Sequence, residues 1–361
     1  MSGMYDVVVI GAGPVGSRVA EIVAKKGYKV ALIEKNREVG LPVHCTGLVS
    51  HRLKALVPDL PENVILNKIN RAKFFSASSS FELKSKPNQP FYVVDREKLD
   101  KFLFLRARQA GATAETSVLF RGIETYEEDF LIVSTSKGKV QTKILVGADG
   151  AASTVASAAG LERPANMLVG VQTTVLGEFD ADVAELIFSS ELTPDFFGWV
   201  VPLSAGEARI GVAAKKDMLK SLKLLVEKRT DGKIKASSVK PDSGGSINFG
   251  LMERTSAEHV MVVGDAACHV KPFSGGGVVY GLMGAGFCAN ACIKALREND
   301  FSADFFKREY DEKWKSHLGG PIKRGLLYRR ILLGSDRRMN FLFNLGKFGK
   351  IFLEKFDVDL L

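Results

Sequence analysis

"YDVVVIGAGPVGSRVAEIVAKKGYKVALIEK", residues 5–35, decides the fold. Its first six residues are the mainly apolar run of a strand buried on both faces. Gly11, Gly13 and Gly16 follow, a helix runs to about Lys26, and "YKVALIEK" returns as a second strand. This is a β-α-β unit. A G-x-G-x-x-G pattern alone says little. Here a strand precedes it, a helix follows it, and Glu34 ends the second strand 18 residues after Gly16, where a ribose-binding acid is expected. The glycines permit the tight turn, the close approach of a diphosphate and close helix packing. Pro14 and Val15 open the helix whose N-terminus faces that diphosphate, and Lys35 follows the acid. Glu34 does not distinguish a nicotinamide from a flavin dinucleotide.

The rest of the chain builds on this unit. Its 361 residues are too many for one simple core, and 46% apolar with 25% charged residues is ordinary for a globular protein. Four cysteines at this length do not make a disulfide framework and predict reduced thiols. Cys288 and Cys292 stand four apart with no His or acid to complete a ligand set, so no metal is expected. The apolar run 278–293 is short for a bilayer and rich in Gly and Ala, which predicts a buried helix. No signal peptide precedes Tyr5, so a cytoplasmic place is expected. Net charge is +9, and the tail from Asp311 to Leu361 carries eleven Lys/Arg against six Asp/Glu. A basic surface suits nucleic acid, an anionic membrane or an acidic protein. No zinc-finger or RNP-like pattern argues for nucleic acid, so none is expected as a partner.

Further along, "DREKLDKFLFLRARQAG" predicts a helix with Asp95 as its N-cap and Gly111 as its stop. Residues 36–51 read as a loop. From about Asn166 to Phe249 alternating strands dominate, interrupted by one helix, "KDMLKSLKLLVEKR". "HVMVVGDAA" then returns to a buried strand, and the remainder is largely helical.

Three further motifs extend the reading. "ILVGADGAAS" ends a strand in Asp149-Gly150, "VMVVGDAA" ends one in Gly264-Asp265, and "VVDREKLD" sets Arg96 between two acids. With these the chain resembles the FAD enzymes of the para-hydroxybenzoate-hydroxylase-like superfamily. The resemblance implies an α/β fold: a Rossmann-like FAD-binding domain with an inserted, mostly antiparallel substrate-binding sheet and a helical C-terminus. The expected division is 1–70, 90–165 and 255–300 for FAD, 71–89 and 166–254 for substrate, and 301–361 for the helical region.

Within that superfamily, "VGLPVHCTG", "KPFSGGGVVYGL" and "FGWVVP" resemble three segments of the geranylgeranyl reductase family. The last has Phe197 and Val201 where the family has Tyr and Phe. The first has Cys45-Thr46-Gly47 where the family usually has Cys-Gly, and Ala156 stands where many superfamily members carry Arg. The resemblance implies saturation of C=C bonds in prenyl chains of membrane lipids. Gly11, Gly13, Pro14, Val15, Gly16, Glu34, Lys35, Cys45, Thr46, Gly47, Arg96, Asp149, Gly150, Gly264, Asp265, Gly275, Gly276 and Gly277 are expected to hold FAD. The stretch 272–277 is expected to run under the flavin ring, with the next helix directing its N-terminus at the ring.

Cys45 and His44 are the expected proton donors, with loop shaping as the alternative for Cys45. Lys271 is expected to place positive charge by the reduced flavin. His269 reads as structural. Phe196, Phe197, Trp199, Pro202 and Tyr280 are expected to meet the prenyl chain, although aromatics at such spacing also fill ordinary cores. The electron donor is expected to be NAD(P)H, bound without a second nucleotide domain, or an acidic ferredoxin. Phe348, Ile351, Phe352 and Phe356, interleaved with Lys347, Lys350 and Lys355, fit an interfacial helix on the inner face of a membrane and equally an amphipathic helix packed on its own domain. A monooxygenase or halogenase of the same fold is the competing enzyme class, and a lipid-binding flavoprotein without activity the third.

Overall fold

The run Met4–Ile10 lies at the centre of an eight-stranded sheet in the computed structural model, which describes residues 3–333 and 335–348. Val7, Val8 and Val9 are fully buried, because both faces of this layer are covered. Five strands run parallel in the order Thr113–Glu115, Val30–Ile33, Met4–Ile10, Gly138–Gly147, Val260–Val262. The antiparallel strands Phe120–Tyr126 and Leu131–Thr135 fold onto Gly138–Gly147. Neighbours of the central strand thus come from distant parts of the chain. The crevice beyond its C-terminal end is where such sheets bind ligands.

A second sheet of seven strands has the order Ser243–Asn248, Met167–Leu176, Glu207–Ala214, Gly198–Ser204, Val183–Ile187, Arg71–Phe75, Ser80–Lys84. Its pairings are antiparallel except Val183–Ile187 with Arg71–Phe75. A third, three-stranded sheet takes Leu48–Ser50, Phe91–Val94 and Ile65–Ile69. Leu48–Ser50 falls in the segment read as loop. Its partner lies some forty residues on, and no local pattern announces that pairing.

Helix Pro14–Ala24 packs between Val278–Glu298 and Arg96–Gln109. The Asp95 carboxylate caps the last of these, accepting from Lys98 N at 3.1 Å. Val278–Glu298 is long and apolar enough to cross a membrane, yet most of it is buried inside the protein. Its small residues permit close packing: a Cβ on Gly281 would lie 2.6 Å from Val15 Cγ2.

Beyond this helix, π-helical stretches Lys307–Asp311 and Lys315–Gly319 flank Trp314, and Tyr310 and Trp314 enter the core. Trp314 Nε1 donates to Thr255 Oγ1 at 2.8 Å, Thr255 Oγ1 donates to Asp311 Oδ1 at 2.5 Å, and Tyr310 donates to the Val262 carbonyl at 2.6 Å. These bonds satisfy the buried polar groups and fasten the C-terminal region to the sheet. Helices Gly320–Leu332 and Asp336–Phe348 follow. Ile351, Phe352 and Phe356 lie outside the described residues.

Candidate functional site

The glycine loop is built by contact. Gly11 has φ +100, and a Cβ there would collide with the Ala148 carbonyl; one on Gly16 would collide with the Gly11 carbonyl. Gly13 differs: a Cβ there meets nothing within 4 Å. Gly13 is also the N-cap of Pro14–Ala24 and has no side-chain cap, so the first N–H groups of that helix have no side-chain acceptor. Open space over an uncapped helix N-terminus is what a dinucleotide diphosphate requires. Glu34 accepts from Ala12 N and Asn36 N, both at 2.9 Å, and ties the loop to the second strand. Lys35 is exposed.

Val15 joins this cradle to the Gly264-Asp265 motif. A Cβ on Gly264, where φ is +70, would lie 3.2 Å from Val15. The Asp265 carboxylate packs on Gly277, the N-cap of Val278–Glu298, where a Cβ would lie 2.6 Å from Oδ1. Burial raises the Asp265 carboxyl above its ordinary range, and Arg96 opposes that rise. Asp149 accepts from Ser153 Oγ at 2.6 Å and from Thr154 N at 2.7 Å. Its carboxylate therefore fixes its own turn, in which Gly150 has φ +81 and open space.

The three glycines 275–277 answer to different neighbours. Gly275, with φ +71, would set a Cβ 3.3 Å from Phe196, and Gly277 abuts Asp265. A Cβ on Gly276 would approach nothing closer than 3.6 Å. Part of the demand for glycine thus comes from the protein itself. Lys271 is buried in this loop with Nζ 5.5 Å from the centre of the Tyr280 ring.

The loop 44–47 bridges the nucleotide layer and the seven-stranded sheet. His44 Nδ1 donates to the Gly244 carbonyl, and Thr46 Oγ1 donates to Gln172 Oε1 at 2.7 Å. Arg209 Nη1 donates to the Thr46 carbonyl at 2.5 Å. Cys45 Sγ accepts from Gly47 N at 3.3 Å and lies near enough to Arg96 to interact with its charge. Arg96 meets Asp100 through Nε and Nη2, both at 3.0 Å. Burial would lower the Arg96 pKa, but the Asp100 carboxylate beside it outweighs that and keeps the guanidinium charged. Of the four cysteines, Cys45 alone is not buried.

Trp199 lies across the sheet beside this loop. Its indole covers Gly211, where a Cβ would run into the ring, and Nε1 points at Gln172 Oε1 at 3.4 Å. Phe197 links Trp199 to a run of aromatic contacts through Phe188 at 5.5 Å, Phe196 at 4.1 Å and Phe273 at 6.3 Å. Pro202 sits at the far end of the same strand, its carbonyl accepting from Asn67 Nδ2 at 2.9 Å. A cavity of about 10 Å³ opens between Phe188, Phe196, Leu333, Asp336 and Met339. Sequence reasoning missed Gln172, Arg209 and Arg329. Arg329 lies 4.1 Å from the Phe249 ring centre and 5.3 Å from that of Phe196, and burial brings its pKa down to about 10.

Comparison with known proteins places this arrangement. Residues 4–299 match the FAD binding domain family. Digeranylgeranylglycerophospholipid reductase of Methanocaldococcus jannaschii is 31% identical over 347 residues, covering 92% of this chain and 88% of that protein. A geranylgeranyl bacteriochlorophyll reductase-like protein of Thermoplasma acidophilum superposes with a TM-score of 0.85 at 24% identity, over 95% of this chain and 91% of that one. p-Nitrophenol 4-monooxygenase of Pseudomonas putida gives 0.74 at 17% identity, over 96% and 94%. These two likenesses are of fold.

Proposed function

The chain belongs to the geranylgeranyl reductase family of FAD-dependent oxidoreductases, and we propose that it saturates C=C bonds in the geranylgeranyl chains of a membrane isoprenoid lipid. One observation carries the reading: Cys45 stands on a loop clamped to the seven-stranded sheet at Gly244 and at Gln172, the residue that also meets Trp199 beside Phe197, while Arg96 acts on both Cys45 and the Asp265 of the Gly-Asp motif. Reduced FAD supplies a hydride at its N5 position.

The chain's own residues supply the rest. An isolated prenyl alkene is a poor hydride acceptor, so it must be positioned with water excluded. The Phe196, Phe197 and Trp199 surface does that. Cys45 holds the proton for the second alkene carbon, and Gly47 N, which donates to its sulfur, orients it. His44 donates from Nδ1 to Gly244, which leaves Nε2 to take protons from solvent and return them to the loop.

The test is anaerobic. The FAD-loaded protein is reduced with dithionite, mixed with a digeranylgeranylglycerophospholipid, and the lipid mass is followed. Gain of hydrogen pairs is the expected result. No gain, with substrate-stimulated oxygen consumption in air, would overturn the reading in favour of a monooxygenase.

A further inference from the structure

Helix Gly320–Leu332 turns an unusual face to solvent. Lys323, Arg324, Leu327, Arg330 and Ile331 are all exposed. At 3.6 residues per turn they share an arc of roughly 120°. Helix Asp336–Phe348 repeats the pattern with exposed Arg337, Phe341 and Arg338 on an arc of roughly 100°. Leu327 is 53% exposed, Ile331 45% and Phe341 64%. A surface helix of a globular protein usually keeps its large apolar residues inward. Here Ile322, Met339 and Phe343 already serve the core, and the outward apolar residues are additional.

Charge adds a second, independent observation. Residues 320–348 hold seven Lys/Arg (323, 324, 329, 330, 337, 338, 347) and one acid, Asp336. Asp336 is turned onto Ser190, whose N and Oγ donate to it at 2.8 Å and 2.7 Å. Exposed aliphatic and aromatic side chains among cations are what an anionic bilayer surface binds.

The opposite side of the same helices meets the site. Phe343 packs on Phe81 and Phe188 at 4.8 Å and 5.8 Å, and Leu333, Asp336 and Met339 line the small cavity beside Phe196.

We propose that the outward face of helices Gly320–Leu332 and Asp336–Phe348 docks on an anionic lipid bilayer. Leu327, Ile331 and Phe341 enter the interface, and Lys323, Arg324, Arg330, Arg337 and Arg338 meet headgroup phosphates. The inference rests on the reading of the substrate as a membrane lipid, which reaches the aromatic cluster from this side.

Flotation of the full-length, FAD-loaded protein with vesicles tests it. Vesicles of phosphatidylcholine alone are compared with vesicles containing about one quarter phosphatidylglycerol, a composition chosen to give a negative surface. The protein is expected to float with the anionic vesicles only. Leu327→Ser with Phe341→Ser, and separately Arg330→Glu with Arg337→Glu, should each weaken binding at least about tenfold. Both variants should keep wild-type melting temperature and full activity on detergent-dispersed lipid. Absence of flotation overturns the proposal, as does flotation that neither variant weakens. Loss in the charge variant alone overturns it too, because Leu327 and Phe341 would then not enter the interface. A floating protein without reductase activity would instead refute the functional reading and leave the docking face standing.

Discussion

The Arg96 guanidinium lies beside the Cys45 side chain while its Nε and Nη2 are engaged by Asp100, both at 3.0 Å. The sulfur's surroundings are therefore set by a buried ion pair on helix Arg96–Gln109 as well as by its own loop. Cys45→Ala should retain FAD and lose at least about tenfold in kcat if the thiol delivers the proton. Cys45→Ala at wild-type rate would leave the loop a purely structural role. Arg96→Gln strands Asp100 in a buried site, which costs about 3 kcal/mol or more and lowers the melting temperature. Arg96→Lys keeps the charge but not the planar fork. It should recover much of the stability and little of kcat.

The glycines of the dinucleotide loop separate folding from binding. Gly16→Ala drives a Cβ into the Gly11 carbonyl and should lower both the melting temperature and FAD content. Gly13→Ala meets no protein atom within 4 Å, so its melting temperature as apoprotein should stay near wild type. The added methyl occupies the space over the helix N-terminus, and FAD should bind at least about tenfold more weakly. Fluorescence titration of the apoprotein with FAD reads this. Unchanged affinity in Gly13→Ala would mean that the diphosphate lies elsewhere.

What the sequence discloses and what it hides divide along contact distance. The strand Met4–Ile10, the cap at Asp95 and the helix Met218–Arg229 follow from neighbours within a few residues, and each is readable. The clamp on the 44–47 loop is not. His44 reaches Gly244 across 200 positions, and Thr46 reaches Gln172 across 126. Nothing in the spacing of a lone Gln or Arg marks it as a partner for a loop so far away. The glycines 275–277 are legible as a close backbone approach, but two of the three are crowded by the protein's own Phe196 and Asp265.

Gln172 is where that clamp can be tested. It is buried, and its Oε1 accepts from Thr46 Oγ1 and from Trp199 Nε1. Gln172→Leu leaves both donors without their acceptor, a loss of about 1–3 kcal/mol. It should also lower kcat, because the loop carrying Cys45 loosens. Gln172→Glu retains the acceptor and should restore most of the activity. If Leu and Glu variants are equally impaired, the shared acceptor is not what matters.

His269 gives the pH dependence. Its ring is fully buried, 4.5 Å from that of Trp314; Nδ1 accepts from Gly264 N at 3.3 Å, and Nε2 has no partner among the described residues. Burial pushes its pKa down from 6.5 to about 3. Between those values the unfolded chain binds a proton that the native state refuses. Stability therefore rises with pH across the window and is lost as pH falls below 6.5, by about 1.4 kcal/mol per pH unit. The buried carboxyls of Asp265 and Asp100, both raised by desolvation, act with the opposite sign, so the His269 contribution is read as the difference between wild type and a His269 variant. Glu309, held at about 2 by its bonds to Lys294 and Lys313, contributes its loss only below its ordinary 4.5. Urea unfolding should show that wild type loses about 2 kcal/mol more than His269→Gln between about pH 6.5 and about pH 5. His269→Gln should flatten that slope while lowering stability at about pH 7.5, where the neutral ring is the native form. An equal slope in the variant would assign the pH dependence to another group.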